Sequence, residues 1–282
     1  MNDSQRNADE QKALWNGAAG HSWVEAQEAL DRMFQPFEDL LVEAVAAQPR
    51  ACVLDVGCGT GSTTLAIQRS LGAGSECVGL DISEPMLARA RSRAEQDGAQ
   101  LTFICADAER HVFERSSFDM IVSRFGVMFF TDPVRAFANL RHAARPDAEL
   151  CCTVWRSLSE NPFMTTAERA AAGILPHIPA RDADAPGQFA FADPNRVRRI
   201  LEESGWDAID ILPIDVECSF PEQDLVRYAT RLGPLGRVLQ TADEQTKART
   251  LAVVREAFEP YVHGPTVRFA AACWRVGARA PR

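Results

Sequence analysis

The sequence predicts an α/β protein built on an open, mostly parallel sheet of seven strands, with helices on both faces. Within residues 51–155, short continuous apolar runs alternate with segments whose apolar residues recur at helical spacing. This alternation is typical of βαβ units, in which parallel strands are buried on both faces. Two longer strand-like runs follow without a regular βαβ link between them, which indicates an antiparallel edge.

The chain begins with a segment that we expect to be helical. Ser22 and Glu25 have the spacing of a capping box, and apolar residues recur at helical spacing after them, interrupted by Pro36. This amphipathic pattern precedes the first strand and follows a stretch rich in glycine and aromatic residues. We therefore expect residues 1–48 to form an N-terminal helical lid.

The predicted strands come next, and local signals mark the helices between them. Ser83 and Pro85 are typical of the start of one helix, and Asp132 and Pro133 are typical of another. The strands are predicted at residues 51–56, 76–81, 101–107, 118–123, 149–155, 214–220 and 267–276.

These elements divide the chain into three segments. Residues 1–48 are the lid, and residues 50–156 are a ligand-binding core. Residues 157–282 are expected to supply a cap insertion and the last two strands of the same sheet. The stretch 157–200, with one or two helices joined by the loop 176–187, is predicted to be a second wall of the site.

Composition excludes several classes of protein. A net charge of −9 disfavours a nucleic-acid partner, because phosphate binding needs a dense basic surface. The sequence begins without a signal-peptide pattern and has no apolar run long enough for a membrane span, so we expect a cytoplasmic protein without a membrane partner. The eight cysteines include no C-x-x-C pair and are interpreted as buried thiols, with no metal site expected.

The turn after the first strand, VLDVGCGTGSTT, indicates a nucleotide-type ligand, and three interpretations compete. A phosphate-binding P-loop requires a lysine after its last glycine, whereas the only lysines here are Lys12 and Lys247. A dinucleotide fingerprint requires G-x-G-x-x-G, and the glycines at 57, 59 and 61 are one residue too closely spaced. The third interpretation is a ligand without a phosphate group.

Asp55 distinguishes the two remaining interpretations. Its carboxylate lies two residues before the first glycine, where it would repel a pyrophosphate but attract an ammonium group. Asp81, about 20 residues further on, supplies the ribose-binding acid that both interpretations require. The pattern therefore favours a ligand that combines a nucleoside with a positively charged tail.

Four motifs in the same order resemble the class I S-adenosylmethionine-dependent methyltransferases. They are LDVGCGTG, GLDIS, ADAE and FDMIVSRFGVMFF, and the likeness covers residues 50–156. The resemblance implies a Rossmann-like fold and S-adenosylmethionine as the cofactor. The family often has Pro-Gly-Gly before the fifth strand, where this chain has Pro146, Asp147 and Ala148. That turn is remote from the expected cofactor site.

The resemblance also implies a set of cofactor contacts. Asp55 would meet the ammonium group of the methionine tail, Asp81 the ribose hydroxyls and Asp107 the adenine amino group. Thr64 has an alternative role as a capping residue. The implied cofactor-binding residues are Asp55, Gly57, Gly59, Thr64, Asp81, Ile82, Asp107, Ala108 and Ser123.

The flanking segments resemble a group of bacterial small-molecule methyltransferases, similar to the ubiquinone-type C-methyltransferases. This resemblance implies that Trp15, Trp23, Arg124 and Phe125 lie at the acceptor pocket and that His21 is a candidate proton acceptor. We expect direct in-line methyl transfer to a small-molecule acceptor without a metal. The alternatives are a cofactor-binding regulator without catalysis and a dehydrogenase of the NAD type.

Overall fold

A mixed sheet organises the chain in this computed structural model, which describes residues 3–47, 52–72, 74–175, 177–178, 185–231 and 233–282. Within these residues the sheet has eight strands in the order β3-β2-β1-β4-β5-β8-β6, with β7 paired only to β8. The strands are β1 (Cys52–Val56), β2 (Glu76–Asp81), β3 (Thr102–Cys105), β4 (Phe118–Arg124), β5 (Ala144–Trp155), β6 (Asp207–Pro221), β7 (Val262–His263) and β8 (Thr266–Arg279).

The mostly parallel sheet predicted from the sequence is confirmed. Strands β1 to β5 pair in parallel, while β8 pairs antiparallel with both β5 and β6. The predicted antiparallel edge therefore consists of β8 and β6, and β8 is the strand that runs in the opposite direction. The two-residue strand β7 is an addition that the sequence did not indicate.

Helices cover both faces of the sheet, as predicted. Leu54 of β1 belongs to a core cluster on one face, whereas its neighbour Val53 belongs to a second cluster on the other face. The helices are α1 (Asp3–Asn16), α2 (Ala18–Glu25), α3 (Gln27–Ala46), α4 (Ser62–Ser70), α5 (Glu84–Gln96), α6 (Pro133–Ala143), α7 (Phe163–Ala171), α8 (Pro194–Glu203), α9 (Leu225–Arg231), α10 (Gly233–Leu239) and α11 (Glu244–Phe258).

Helix α3 belongs to the core, which corrects the predicted lid of residues 1–48. Phe37 packs in one cluster with β1 and β4, and Leu41 and Val45 pack in the other; all three are fully buried. A helix with such a stripe cannot leave the sheet without exposing the apolar core. The lid hypothesis is therefore restricted to α1 and α2, and residues 48–50 lie outside the described residues.

The predicted capping box at Ser22 is wrong. Ser22 lies inside α2, and α3 begins at Gln27 after Ala26, which makes no side-chain capping bond. Helix α3 continues through Pro36. In contrast, Asp132 is confirmed as a cap, because its carboxylate accepts from the Arg135 amide at 3.0 Å at the start of α6.

Two segments form the cap beside the carboxyl ends of the strands. The first contains α7 and α8, as expected for residues 157–200, although residues 176 and 179–184 of the joining loop lie outside the described residues. The second, α9 to α11, is inserted between β6 and β7. Phe163 of α7 and Phe258 of α11 belong to the same buried cluster, so the cap is continuous with the main core.

Candidate active site

A cavity of about 500 Å³ lies at the carboxyl ends of the parallel strands. Open α/β sheets bind ligands at this edge, and the volume is within the range of small-molecule sites. Its walls come from the strand ends, from α1 to α3, and from the cap helices α7, α9 and α10. The cavity therefore joins the three segments that the sequence separates.

The glycine turn after β1 forms part of the cavity floor. Gly57 has φ +68°, and a Cβ there would lie 2.7 Å from the Cα of Gly126. A Cβ on Gly126 would in turn lie 2.6 Å from the Val56 carbonyl oxygen. Gly57 lines the cavity, but its immediate constraint is this backbone contact between the turns after β1 and β4. Gly126 was not among the residues predicted from the sequence.

Gly59 does not line the cavity, and contacts within the protein explain why a glycine is needed at this position. It has φ +56°, and a Cβ there would meet the Met86 methyl group at 2.9 Å. Its amide also donates to Asp81 Oδ2 at 2.8 Å. Gly59 thus positions the carboxylate at the end of β2.

Asp81 lines the cavity with its carboxylate held in place by backbone donors. Oδ2 accepts from the Gly59 amide and Oδ1 from the Ser83 amide, each at 2.8 Å. Burial raises the pKa of Asp81, and these amides oppose the increase. A carboxylate has about four acceptor positions, so each oxygen can still accept a ligand hydroxyl. This arrangement suits a vicinal diol such as a ribose.

The loop after β3 brings Asp107 and Ala108 to the cavity wall. Asn139 of α6 fixes this loop by donating to the carbonyl oxygens of Ala108 and His111, both at 2.8 Å. Buried Glu109 accepts from the Thr131 amide and hydroxyl at 2.6 and 2.7 Å. Asn139 and Glu109 were missed because each acts on a distant backbone segment.

Asp55 lies beneath the glycine turn and does not line the cavity. Thr64 donates its hydroxyl to Asp55 Oδ2 at 2.7 Å, and both side chains are buried. Burial raises the pKa of Asp55 from about 3.8 to about 6, while the Thr64 hydrogen bond and the Arg124 charge act in the opposite direction. Thr64 does not line the cavity, contrary to its expected position at the ligand, because its hydroxyl is directed to Asp55.

Ser123 also has a structural role. Its hydroxyl donates to the Val56 carbonyl at 2.7 Å and accepts from the Gly126 amide at 3.1 Å. The side chain is fully buried and absent from the cavity wall. Ser123 therefore joins the ends of β1 and β4, which corrects its expected position beside the methionine tail.

Hydrogen bonds join the N-terminal helix α1 to the turn that follows Asp81. Asn16 of α1 donates to the Ile82 carbonyl at 2.9 Å and accepts from the Glu84 amide at 3.0 Å. Ser83 donates to the Trp15 carbonyl at 2.6 Å instead of capping α5. Helix α1 thus supplies the cap of α5 and contacts the turn that follows the Asp81 carboxylate.

Aromatic rings form two parts of the wall. Under the lid, Trp15 makes edge contacts with Trp23 at 5.9 Å and with Phe129 at 5.0 Å between ring centroids. Beside β5, Phe125 stacks on Trp155 at 4.6 Å with an interplanar angle of 7°. Phe125 has φ +65°, a costly conformation for an aromatic residue, which places strain at the cavity wall.

His21 lies outside the cavity, contrary to its expected role. It is exposed on α2, and its Nδ1 is 2.8 Å from the Gly17 carbonyl oxygen. A general base must reach the proton that it removes. The structure therefore does not place His21 where it could act on an acceptor.

The other predicted site residues divide into two groups. Those on the cavity wall are Trp15, Trp23, Gly57, Asp81, Ile82, Asp107, Ala108, Arg124 and Phe125. Those behind the wall are Asp55, Gly59, Thr64 and Ser123. The residues of the second group support the cavity wall or, in the case of Asp55, place a negative charge behind it, but they do not line the cavity.

A family comparison decides the identity of the core. Residues 53–147 match the family model described as a methyltransferase domain, and this range includes Asp55, Asp81 and Asp107. The core of this chain is therefore a methyltransferase domain of the class I S-adenosylmethionine-dependent type. This domain makes the protein a methyltransferase with S-adenosylmethionine as its cofactor.

Two curated methyltransferases are similar to this one over much of their length. The demethylmenaquinone methyltransferase of Renibacterium salmoninarum is 28% identical over 178 residues, which are 60% of this chain and 72% of that protein. The ubiquinone/menaquinone biosynthesis C-methyltransferase UbiE of Burkholderia vietnamiensis is 26% identical over 185 residues, or 63% and 76% of the respective chains.

A solved structure supports the fold of the methyltransferase. The YcgJ protein of Bacillus subtilis superimposes with a TM-score of 0.58 at 16% identity, covering 87% of this chain and 98% of that one. The Rossmann-like fold predicted from the sequence is thereby confirmed. No helix among the described residues has both the length and the apolar composition required to cross a membrane.

The cavity of the methyltransferase fits its cofactor. Asp81 retains acceptor capacity for ribose hydroxyls, and Asp107 and Ala108 present a carboxylate and a backbone edge suited to adenine. Asp55 supplies a negative potential beneath the glycine turn, where an ammonium group would be attracted. These residues correspond to the parts of a ligand with a nucleoside and an amino-acid tail.

Deleting residues 1–24 of the methyltransferase is expected to lower kcat by at least about tenfold while leaving a folded protein. The reason is that α1 and α2 line the cavity, whereas the core packs on α3. Single-turnover kinetics and circular dichroism test this, with Asn16→Ala as a milder variant that removes only the contacts to Ile82 and Glu84. A truncated protein with full turnover would show that no lid is required.

Binding of S-adenosylhomocysteine is expected to weaken below pH 6, since the Asp55 pKa is raised to about 6. A protonated Asp55 cannot attract the ligand's ammonium group, so affinity falls by up to about tenfold per pH unit and is constant above that pKa. The stability of the ligand-free protein depends on pH in the opposite direction. The raised pKa stabilises the folded state at low pH, and this stabilisation disappears as pH rises through about 6.

Calorimetry from about pH 5 to pH 7.5 measures this dependence, and Asp55→Asn is the matched control. The variant should bind weakly at every pH and show a flat profile. A wild-type slope that persists in Asp55→Asn would assign the titration to another group.

Proposed function

We propose that this methyltransferase transfers a methyl group to a small, largely apolar, ring-containing acceptor by direct in-line transfer without a metal. The observation that supports this most is the continuity of one cavity from Asp81 and Asp107 to an aromatic chamber. We define the aromatic chamber as the part lined by Phe34, Phe125, Trp155, Phe163, Phe189, Tyr228 and Leu235.

The composition of the aromatic chamber supports an apolar acceptor. Phe34, Phe125 and Trp155 are in mutual ring contact, with centroids 4.6 to 6.0 Å apart. Aromatic walls favour planar ligands through area burial and ring–ring contacts. One curated relative is a demethylmenaquinone methyltransferase and the other a ubiquinone/menaquinone biosynthesis C-methyltransferase, which agrees with a ring-containing acceptor.

The proposed chemistry requires little from the protein beyond positioning. When bound, the cofactor supplies a methyl group that its sulfonium charge already activates. Asp81 and Asp107 orient the nucleoside, the aromatic chamber orients the acceptor, and the lid and cap exclude water. Positioning of this kind can contribute about 7–11 kcal/mol to lowering a bimolecular barrier.

Turnover with labelled S-adenosylmethionine against a panel of phenols, quinols and apolar amines tests the proposal. We expect S-adenosylhomocysteine to accumulate with ring-containing apolar acceptors and not with oligonucleotides. Tight binding of S-adenosylhomocysteine without turnover on any acceptor would favour a cofactor-binding regulator. A larger thermal shift with NAD than with S-adenosylmethionine would favour a dehydrogenase.

Activity is expected to be unchanged by chelators. Among the described residues, no three His, Cys, Asp or Glu side chains converge in a group that could hold a metal ion. Ser123 is at the strand end where metal-dependent relatives would need a carboxylate, and its hydroxyl already bonds to Val56. Initial rates with and without EDTA check this. Loss of activity that magnesium restores would contradict it.

A further inference from the structure

The amino-acid tail of the cofactor carries two opposite charges, and only its ammonium group has been assigned a partner. Asp55 supplies the negative charge. A carboxylate also loses solvation on entering a cavity, so a buried cation is needed to compensate. Within the described residues, the arginines that line the cavity are Arg124, Arg231 and Arg237.

Arg124 is the arginine best placed to compensate this charge. Arg231 is exposed and forms an ion pair with Glu25 at 3.3 Å, and Arg237 is exposed on the cap helix α10. Arg124 is the last residue of β4 and is partly buried. It is therefore the cavity arginine that belongs to the rigid sheet.

Strand register places Arg124 beside Asp55. Asp55 of β1 is the register partner of Val122 of β4, two residues before Arg124. Because side chains alternate along a strand, Val122 and Arg124 face the same side of the sheet as Asp55. One strand spacing and two residue rises separate the Cα atoms of Asp55 and Arg124 by roughly 8 Å.

The two charges are near each other but not paired. The positive charge of Arg124 lowers the pKa of Asp55 against the effect of burial, yet no ion pair joins these two described residues. A zwitterion is complementary to this pair of charges, since its carboxylate can approach Arg124 on the cavity wall while its ammonium group is attracted by Asp55 behind the wall. The Gly57–Gly126 backbone contact lies at the same strand ends.

The guanidinium of Arg124 also has unused donors. Nη1 donates weakly to the Phe34 carbonyl at 3.4 Å, and the group lies 5.9 Å from the Phe34 ring centroid. A guanidinium has five N–H donors in a planar fork that matches a carboxylate. No acceptor among the described residues engages the remaining donors of Arg124, so they are available to a ligand.

We propose that Arg124 binds the carboxylate of the cofactor's methionine tail and, with Asp55, selects ligands with a zwitterionic end. This proposal rests on the cofactor assignment and not on the identity of the acceptor. It replaces the role that the sequence suggested for Arg124 in the acceptor pocket. It also explains how a cation is retained next to Phe34 and Phe125 in an otherwise apolar wall.

Calorimetry with two ligands tests the proposal. S-adenosylhomocysteine has the amino-acid tail, and 5′-methylthioadenosine has the same nucleoside without it. Arg124→Gln should weaken S-adenosylhomocysteine binding by roughly 10- to 150-fold and leave 5′-methylthioadenosine binding unchanged. Arg124→Lys should recover part of the loss, since it keeps the charge without the planar fork. Arg69→Gln, which removes an exposed arginine paired to Asp97, is the matched control.

A decarboxylated analogue of S-adenosylmethionine provides a second readout. The wild-type protein should prefer S-adenosylmethionine to this analogue, and Arg124→Gln should lose the preference. Equal loss of both nucleosides in the variant, or unchanged S-adenosylhomocysteine binding, would overturn the proposal. If the wild-type protein binds neither nucleoside, the cofactor assignment itself fails, which is a distinguishable result.

Discussion

Replacing Asp81 by alanine is expected to weaken binding of S-adenosylmethionine and S-adenosylhomocysteine by roughly 10- to 150-fold. Hydrogen bonds to a charged group typically contribute about 1.5–3 kcal/mol, and Asp81 is the cavity carboxylate best placed for two hydroxyls. The loss should be larger than for a change at Asp107, because Asp81 is expected to meet two ribose hydroxyls and Asp107 only the adenine amino group.

Calorimetry on three proteins tests the Asp81 prediction. Asp81→Asn keeps the shape but replaces one acceptor oxygen with a donor, so it should lose affinity nearly as much as Asp81→Ala. Asp97→Ala, which removes a surface carboxylate paired with Arg69, should bind as the wild type does. Unchanged affinity in a folded Asp81→Ala protein would remove Asp81 from the ribose site.

Replacing Gly57 by alanine is expected to destabilise the protein by several kcal/mol and to abolish cofactor binding. The substitution forces a Cβ to within 2.7 Å of the Gly126 backbone and also imposes strain at φ +68°. Strain of this type alone costs about 1–3 kcal/mol, and backbone displacement adds to it. The turns after β1 and β4 would separate, and both contribute to the cavity floor.

Three further glycine variants separate the cost of a positive φ from the cost of a Cβ clash with neighbouring backbone. Gly205→Ala introduces the strain of φ +81° with no atom within 4 Å of the new Cβ, so it should have a smaller effect. Gly126→Ala introduces the clash without a positive φ, and Gly72→Ala introduces neither. Denaturant titration should rank destabilisation as Gly57, then Gly126, then Gly205, then Gly72. A Gly57→Ala protein as stable as Gly72→Ala would contradict the close approach.

The strands and the ligand-binding edge could be predicted because their signals are local. Each short apolar run became one of the strands β1 to β5, and Asp132 could be identified as a helix cap from its own sequence neighbourhood. Asp81 and Asp107 could then be placed together, since parallel strands end at a common edge. Both line the cavity.

The direction of each side chain at that edge could not be predicted. Ser123 and Thr64 have suitable chemistry near the site, but their hydroxyls bond to Val56 and Asp55 and not to the cavity. Residue type does not show whether a polar group meets a ligand or a neighbouring strand. The choice depends on tertiary distances that local patterns do not contain.

The contributions of distant segments could also not be predicted from the sequence. Asn139 and Asn16 stabilise loops 31 and 66 residues away, and neither belongs to a recognisable motif. Tyr228 and Leu235 reach the aromatic chamber because the α9–α10 insertion packs against α7. Helix α3 appeared to be a lid because its pattern is amphipathic, and amphipathicity alone does not show which surface covers the apolar face.

The distribution of tryptophans gives the protein an intrinsic optical signal. Of the five tryptophans, Trp15, Trp23 and Trp155 line the cavity, whereas Trp206 and Trp274 lie elsewhere. Trp15 and Trp23 are on the lid side and Trp155 is in the aromatic chamber, so the two ends of the cavity carry separate fluorophores. Variants with phenylalanine at Trp155, or at both Trp15 and Trp23, would allow stopped-flow emission to follow filling of each end without an added dye.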